Sequence, residues 1–369
     1  MSINTHAGTS VASSMEQSRR WQRRLTVLAI VMTAGVIMLG AWTRLADAGL
    51  GCPDWPGCYG HLDVRKAIDY VSANNSAAPG TYRDAIKTVP EMVHRYFAAS
   101  LGLLILLIAL LAWRNRRANG QPLVLPITLL ALVIGQGLLG KLTVTMGLQP
   151  TIVMLHLLGG FTTLVLLCWL AATLYHWPEF LNDCDVRALR GMSLAAITVV
   201  VLQIALGGWT SANYAAVVCT ELPICEQGWQ QHINFADALT FWGHQHDKPD
   251  YEFGVLENDA RTTIHVMHRF GALLVLLVVG TLVARILLRA RSVFYRRFAL
   301  IIGTLLLWQI ALGLGNIIFK VPLLMAVAHN FFAVVLLISL VLFARAIRTD
   351  VAPESAADTA TTIHRGATA

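Results

Sequence analysis

The chain has 369 residues, of which 56% are hydrophobic and only 13% are charged. This composition excludes an ordinary soluble globular domain, in which about a quarter of the residues are charged. The formal net charge is +7. Most of the arginines lie near the ends of apolar runs, so membrane topology explains this charge better than a nucleic-acid partner does.

Eight apolar runs follow one another along the chain. Each has about 18 to 25 residues and is long enough to cross a hydrocarbon layer of about 30 Å. A polar N-terminal segment precedes the first run without a small-residue cleavage site, so we expect that run to be retained as a helix. The sequence predicts an all-α polytopic membrane protein with eight transmembrane helices. The runs lie near residues 25–42, 93–113, 123–142, 152–175, 188–209, 264–288, 298–319 and 323–346.

Arginines cluster at both ends of the chain and in the loops after the second, fourth and sixth runs. The positive-inside rule puts these segments, and therefore both termini, in the cytoplasm. The loop over residues 211–262 is acidic and is predicted to lie on the outer side. The polar tails, residues 1–20 and 349–369, are predicted to be disordered.

The sequence also contains an internal repeat. Trp42 and Trp209, Cys52 and Cys219, and Cys58 and Cys225 are each separated by 167 residues. Later matches, such as those between Gln136 and Gln309 and between Gly140 and Gly313, are separated by 173 residues. These matches predict two tandem four-helix bundles, residues 21–176 and 177–348, duplicated from one unit and related by an axis along the membrane normal.

Each predicted half carries two histidines at repeated positions. These are His94 and His156 in the first half, and His268 and His329 in the second. All four lie within the first turns of helices that enter from the outer side, so the two members of each pair share one depth. A single histidine near a membrane boundary is more often an interfacial residue. Four at matched positions favour two haem sites, in which imidazoles bracket the macrocycle from both faces.

A rival metal site is conceivable among the loop histidines His232, His244 and His246. They lack thiolate partners and close spacing, so the pattern for zinc is weak.

The two halves differ at two positions. The first half has Glu91 where the second has His265, and Arg44 where the second has Ser211. One interpretation makes Glu91 part of a capping box that starts a helix at Thr88. The other gives its carboxylate a chemical role beside the first histidine pair, and this asymmetry between the halves favours it.

Arg95 and Arg269 follow the first histidine of each pair. They could pair with haem carboxylates or extend to the membrane interface, and the sequence does not decide between these roles. The outer cysteines form two pairs, Cys52 with Cys58 and Cys219 with Cys225, on the predicted oxidising side. Structural disulfides are the simpler interpretation, and a redox relay in the first pair is the alternative.

Taken together, these residues resemble the haem A synthase family, the Cox15/CtaA-type membrane oxidoreductases. The resemblance covers roughly residues 20–346, and the loop from Cys52 to Cys58 is similar to that of bacterial members with paired outer cysteines. The matching residues are Thr43-Arg44-Leu45, Ala48-Gly49-Leu50, Trp55, Glu91, His94, Arg95, His156, His268, Arg269 and His329.

The resemblance implies that the chain oxidises the C8 methyl of haem O to the formyl group of haem A for terminal oxidases. His94 and His156, with Arg44 and Arg95, would hold the substrate haem O, and Glu91 would act on it. His268 and His329, with Arg269, would hold a resident haem b. The expected location is the bacterial cytoplasmic membrane, with both haem sites near the periplasmic side.

The other expected partner is membrane lipid. Haem O synthase, an electron acceptor of unknown identity and a second copy of the chain are candidate partners, whereas nucleic acid is not expected. Two other functions stay open from the sequence. A bis-histidine cytochrome acting only in electron transfer would also use paired histidines, and a transporter built from parallel repeats would explain the duplication but not the histidines.

Overall fold

The computed structural model describes residues 5–74, 81–177, 183–242 and 248–347, which form helices joined by loops. In chain order the helices are α1 (Thr5–Leu45), α2 (Val64–Asn74), α3 (Thr81–Arg114), α4 (Val124–Thr145), α5 (Pro150–Leu174), α6 (Cys184–Arg187), α7 (Arg190–Ala212), α8 (Phe235–Ala238), α9 (Asn258–Arg289), α10 (Val293–Ile318) and α11 (Leu323–Ala346).

Within this described part of the chain, eight helices are long and apolar enough to cross a membrane. They are α1, α3, α4, α5, α7, α9, α10 and α11, which confirms the eight predicted runs. Hydrocarbon contains no water that could bond to backbone N–H and C=O groups. A helix satisfies these groups within a single segment, so each apolar stretch becomes helical. In α1 the helix begins at Thr5, inside the segment for which the sequence predicted a disordered tail.

The membrane helices pack as two rings of four. In the first ring, α1 contacts α3 and α5, and α4 lies between α3 and α5. In the second, α7 contacts α9 and α11, and α10 lies between α9 and α11. The rings join where α1 meets α11 and where α5 meets α7. This arrangement agrees with the predicted bundles, although descent from a duplicated unit stays a prediction.

The first outer loop is compact and packs against α3. Cys52 and Cys58 are joined by a disulfide and fully buried, together with Ala67 of α2 and Met92 of α3. Cys219 and Cys225 form the corresponding bridge in the second outer loop. The pairing predicted for both loops is confirmed.

The capping-box interpretation of Thr88 and Glu91 is wrong. Helix α3 begins at Thr81, so both residues lie well inside it, and Pro90 is also internal. Thr88 donates its hydroxyl to the carbonyl of Gly51 in the first outer loop, 3.1 Å away. The helix extends beyond the apolar run, and the first outer loop provides hydrogen-bond partners for its polar residues Thr88 and Glu91.

His244, His246 and the C-terminal tail from residue 349 lie outside the described residues. Cys168 is a free thiol inside α5.

Candidate functional site

Each of the four predicted ligand histidines lies against a glycine of the neighbouring helix. The close approach is measured by the distance from the histidine Cε1 to an ideal Cβ placed on the glycine. These distances are 2.8 Å for Gly40 and His94, 3.4 Å for Gly140 and His156, 3.1 Å for Gly207 and His268, and 3.2 Å for Gly313 and His329. The glycines belong to α1, α4, α7 and α10, and the histidines to α3, α5, α9 and α11.

The histidines come together as the sequence predicted, in one pair per ring. His94 interacts electrostatically with His156, and His268 with His329. Among the described residues, the buried Nδ1 of His156 has no hydrogen-bond partner. The rings of His94 and His329 lie within hydrogen-bonding reach of the backbone of the residue one turn before the glycine that each contacts. All four side chains are partly exposed, and one pair in each ring suits the ligation of an iron porphyrin.

Two glutamines of the second ring bond to the backbone of its histidines. Gln203 donates its Nε2 to the carbonyl of His268 (2.9 Å) and lies 3.1 Å from the Nδ1 of the same histidine. Gln309 donates to the carbonyl of His329 (3.0 Å). Each glutamine is four residues before the glycine that its histidine contacts, so it lies one turn away on the same helix face.

Glu91 is buried beside the first histidine pair, one turn before His94 in α3. Its Oε2 accepts the backbone N–H of Cys52 at 2.9 Å, and its Oε1 pairs with the guanidinium of Arg95. Both carboxylate oxygens are therefore held by the protein, one by the disulfide loop and one by the next turn of α3. These contacts fix the carboxylate in place.

Arg95 and Arg269 hold their own disulfide loops. Arg95 donates to the carbonyls of Asp54 (2.9 Å) and Gly57 (2.5 Å). Arg269 donates to the carbonyls of Glu221 (2.5 Å) and Cys219 (2.7 Å). Asp54 and Glu221 are equivalent positions of the repeat, so the two arginines do the same structural work. A contact with haem carboxylates stays a prediction.

Arg44 links the two rings. Its Nη2 donates to the carbonyl of Ser211 at 2.6 Å, and its guanidinium lies 4.1 Å from the centre of the Tyr214 ring. The Tyr214 hydroxyl in turn donates to Asp47 at 3.2 Å. The predicted role of Arg44 in holding haem O stays a prediction, and the protein contacts place the side chain between the two halves.

At the position equivalent to Glu91, His265 is buried and lies within hydrogen-bonding reach of the backbone of Ala215. Close by, Glu226 accepts two hydrogen bonds from Thr220, through the backbone N–H (2.6 Å) and the hydroxyl (2.9 Å). Partial burial would raise the pKa of Glu226, but these hydrogen bonds outweigh it and hold the pKa below its usual value. In the second ring, the carboxylate near His265 therefore comes from the outer loop and not from α9.

The geometry does not favour a structural zinc site. Donor atoms of Cys219, Cys225 and Glu226 lie within 4.8 Å of one another, but both thiols are consumed by the disulfide. His232 is exposed and bonds to Asp259 at 2.9 Å through Nδ1. Thiolates or several neutral imidazoles would be needed to bind zinc tightly.

The second outer loop reaches across to the first ring, which the sequence did not indicate. It meets the entrance to α5 and the outer end of α3, the two helices that carry His156 and His94. The contacts are Gln149 Nε2 to Phe241 O (3.1 Å), Tyr251 N to Gly147 O (2.8 Å) and Lys87 Nζ to Glu252 Oε1 (3.4 Å). Residues from the other half thus contact the first ring about two helical turns from His94 and His156.

The sequence identified some of these glutamines and glycines as repeat matches but did not indicate that they lie beside the histidines. Glutamine followed four residues later by glycine occurs at Gln136, Gln203 and Gln309, once in each of α4, α7 and α10. At the equivalent place in α1 the residue is Val36. A repeat analysis that compared helices within a half, and not only between halves, would have found the motif.

Comparison with known proteins shows which family the chain belongs to. A family model described as cytochrome oxidase assembly protein, COX15-CtaA, matches residues 23–341. A protein of Shewanella oneidensis named heme A synthase is 43% identical over 321 residues, which cover 87% of this chain and 94% of that protein.

More distant relatives carry the same name. One from Methylobacterium radiotolerans is 28% identical, covering 89% of each chain, and one from Rickettsia bellii is 24% identical, covering 86% of this chain and 96% of that protein. The match to the family model extends through both four-helix rings. The chain therefore belongs to the COX15-CtaA family of cytochrome oxidase assembly proteins.

Proposed function

We propose that this protein is a haem A synthase, a membrane oxidoreductase that converts the C8 methyl group of haem O to the formyl group of haem A. The observation that carries the proposal is the pair of partly exposed histidines in each ring, together with a fixed carboxylate one turn from His94 on α3. Relatives named heme A synthase along most of the chain support the same activity.

In this proposal His94 and His156 hold the substrate haem O. Both belong to the ring that contains Glu91, and both side chains are partly exposed. Ligation from both faces would hold the plane of the macrocycle, and contacts at its edge would set its rotation, so that one methyl group stays near one side chain. The loop contacts across α3 and α5 would limit the access of bulk water to that methyl.

Glu91 is the proposed proton acceptor. The conversion joins one methyl group and one water to give a formyl group, and releases protons and electrons in equal numbers. Withdrawing electrons from the substrate porphyrin acidifies its methyl C–H bonds, and a carboxylate within reach can then take the proton. The bonds from Cys52 and Arg95 hold the Glu91 carboxylate one turn from His94.

His268 and His329 are the proposed ligands of a resident haem b. Such a group supplies one-electron redox chemistry when bound. The contribution of the chain is to present two imidazoles and to anchor their helices through Gln203 and Gln309. No carboxylate takes the place of Glu91 on α9, which fits a site that keeps its haem rather than reacting with it.

The membrane is the cytoplasmic membrane of a bacterium, and the haem sites are proposed to face the periplasm. The support is the clustering of arginines in the loops at the opposite ends of the helices. Haem O synthase and an electron acceptor would be the functional partners, and self-association is compatible with the proposal.

The decisive experiment supplies haem O to the purified protein and identifies the extracted haems by mass spectrometry. We expect haem A from the natural chain and little or none from a His94→Ala variant. Haem b that is present and redox-active, together with no haem A under any oxidising condition, would instead favour a cytochrome acting only in electron transfer. Absence of any haem would overturn both functions.

A further inference from the structure

The glycines opposite the histidines form a repeated feature of their own. Each of the four histidine rings points its Cε1 edge at a helix position that has no side chain. Gly40 and Gly207 are separated by 167 residues, and Gly140 and Gly313 by 173, the offsets of the two sets of repeat matches. We call these four glycines the ring seats.

Space, not backbone conformation, explains glycine at the ring seats. All four lie in regular α-helix, and none has a positive φ. Alanine is the better helix former there by about 1 kcal/mol. A Cβ would nevertheless meet the ring carbon at 2.8 to 3.4 Å, closer than the 3.5 to 4.0 Å at which carbon atoms pack best. The missing side chain lets the imidazole approach the neighbouring backbone.

The glutamines add a second constraint to the same histidines. Gln203 and Gln309 hold the backbone of His268 and His329, while Gly207 and Gly313 receive the rings. Backbone and ring are thus fixed from the same neighbouring helix. Residues that orient a ligand in this way normally act on affinity and on the electronic state of the metal.

We propose that the ring seats Gly40, Gly140, Gly207 and Gly313 are positioning residues, which set the ring orientation and reach of the four haem-ligating histidines. This inference rests on the proposed ligand assignment and deepens it. An added methyl group meets the far end of a side chain, so the ring rather than the backbone would move. The variants should fold, with a displaced ligand.

The test compares Gly207→Ala with Gly191→Ala, a control in the same helix whose Cβ would meet nothing within 4 Å. We expect the Gly207 variant to retain haem b about 10- to 100-fold more weakly and to shift its midpoint potential and low-spin electron paramagnetic resonance signal. The control should match the natural chain in all three measurements.

The first ring offers an independent comparison, Gly40→Ala against Gly35→Ala in α1 and Gly140→Ala against Gly137→Ala in α4, with haem O titrated spectroscopically. Gly35 and Gly137 also have open space around a Cβ. The loss of haem O affinity should be larger for Gly40 than for Gly140. An added Cβ would lie 2.8 Å from the His94 Cε1 at Gly40 and 3.4 Å from the His156 Cε1 at Gly140.

His268→Ala separates failure of this inference from failure of the proposed function. If that variant keeps haem b, the ligand assignment itself is wrong. A second outcome is that it loses haem b while Gly207→Ala and Gly313→Ala both behave like Gly191→Ala. The ligand assignment would then be correct, and the ring seats would have no role in positioning the histidines. Should Gly207→Ala fail to fold, Gly313→Ala gives the same decision.

Discussion

The two four-helix rings share a pair of histidines and an arginine that holds a disulfide loop, and they differ at the position of Glu91. Arg95 and Arg269 bond in the same way to equivalent carbonyls of their disulfide loops. Only the first ring has a carboxylate at the next turn of the helix, where the second has the buried His265. In the proposed function both rings hold a haem, and Glu91 accounts for the reaction in the first ring alone.

The rings also meet through equivalent residues. Arg44 contacts Ser211, and Asp47 contacts Tyr214, and both pairs are separated by 167 residues. Contacts between equivalent positions occur next to an approximate two-fold axis. Arg44 and Ser211 occupy equivalent positions of the repeat and contact each other at the junction of the rings. The long side chain of Arg44 spans this junction, and the short side chain of Ser211 leaves room for it.

The largest expected effect tests the second ring alone. Replacing His268 or His329 by Ala removes one of two axial ligands, so most of the haem b should be lost from the purified protein. The pyridine haemochrome content per chain measures it. Full haem b with an unchanged spectrum in both variants would end the assignment of this ring.

The second largest effect is expected at Glu91, the position at which the two rings differ chemically. Glu91→Gln keeps an acceptor for the Cys52 amide but loses basicity, so haem A formation should fall by about 10²- to 10⁴-fold, the usual contribution of a general base. Haem b at His268 and His329 should be unchanged. The measurement is haem A formed per haem b.

Glu257→Gln is the matched control, because it changes an exposed carboxylate that precedes α9 and makes no side-chain cap hydrogen bond. It should keep haem A formation near that of the natural chain. A normal yield from Glu91→Gln would leave Glu91 as an anchor of the disulfide loop and nothing more.

Replacing Arg95 and replacing Arg269 should lower the free energy of unfolding by different amounts. Arg95→Ala leaves the buried Glu91 without its cation and should cost about 3 to 5 kcal/mol. Arg269→Ala loses hydrogen bonds to carbonyls and should cost about 1.5 to 3 kcal/mol. Thermal unfolding in detergent gives the comparison. Loss of haem from either variant with no change in unfolding would point instead to the haem carboxylates as partners.

The smallest effect concerns the junction of the rings. Tyr214→Phe removes the hydroxyl that bonds to Asp47 but keeps the ring under Arg44, so it should cost about 0.5 to 1.5 kcal/mol. Arg44→Ala removes both the stacking and the bond to Ser211, and it should be clearly worse. Equal effects of the two changes, measured by thermal unfolding, would show that Arg44 does not join the rings.

Local features of the sequence were sufficient for the membrane architecture. An apolar run of about 20 residues commits a segment to a membrane helix wherever its neighbours lie, because hydrocarbon leaves no other partner for the backbone. Cys52 and Cys58, six residues apart, could also be paired from the sequence. The matched positions of His94, His156, His268 and His329 indicated which helices would face each other.

The surroundings of these histidines were decided by the tertiary structure. Thr88 and Glu91 had the spacing of a helix cap, but the first outer loop supplies their partners and the helix starts at Thr81. The contacts of Gln203 with His268 and of Arg44 with Ser211 join residues 65 and 167 positions apart. Apolarity and periodicity act within a segment, whereas a hydrogen bond depends on where two distant segments meet in space.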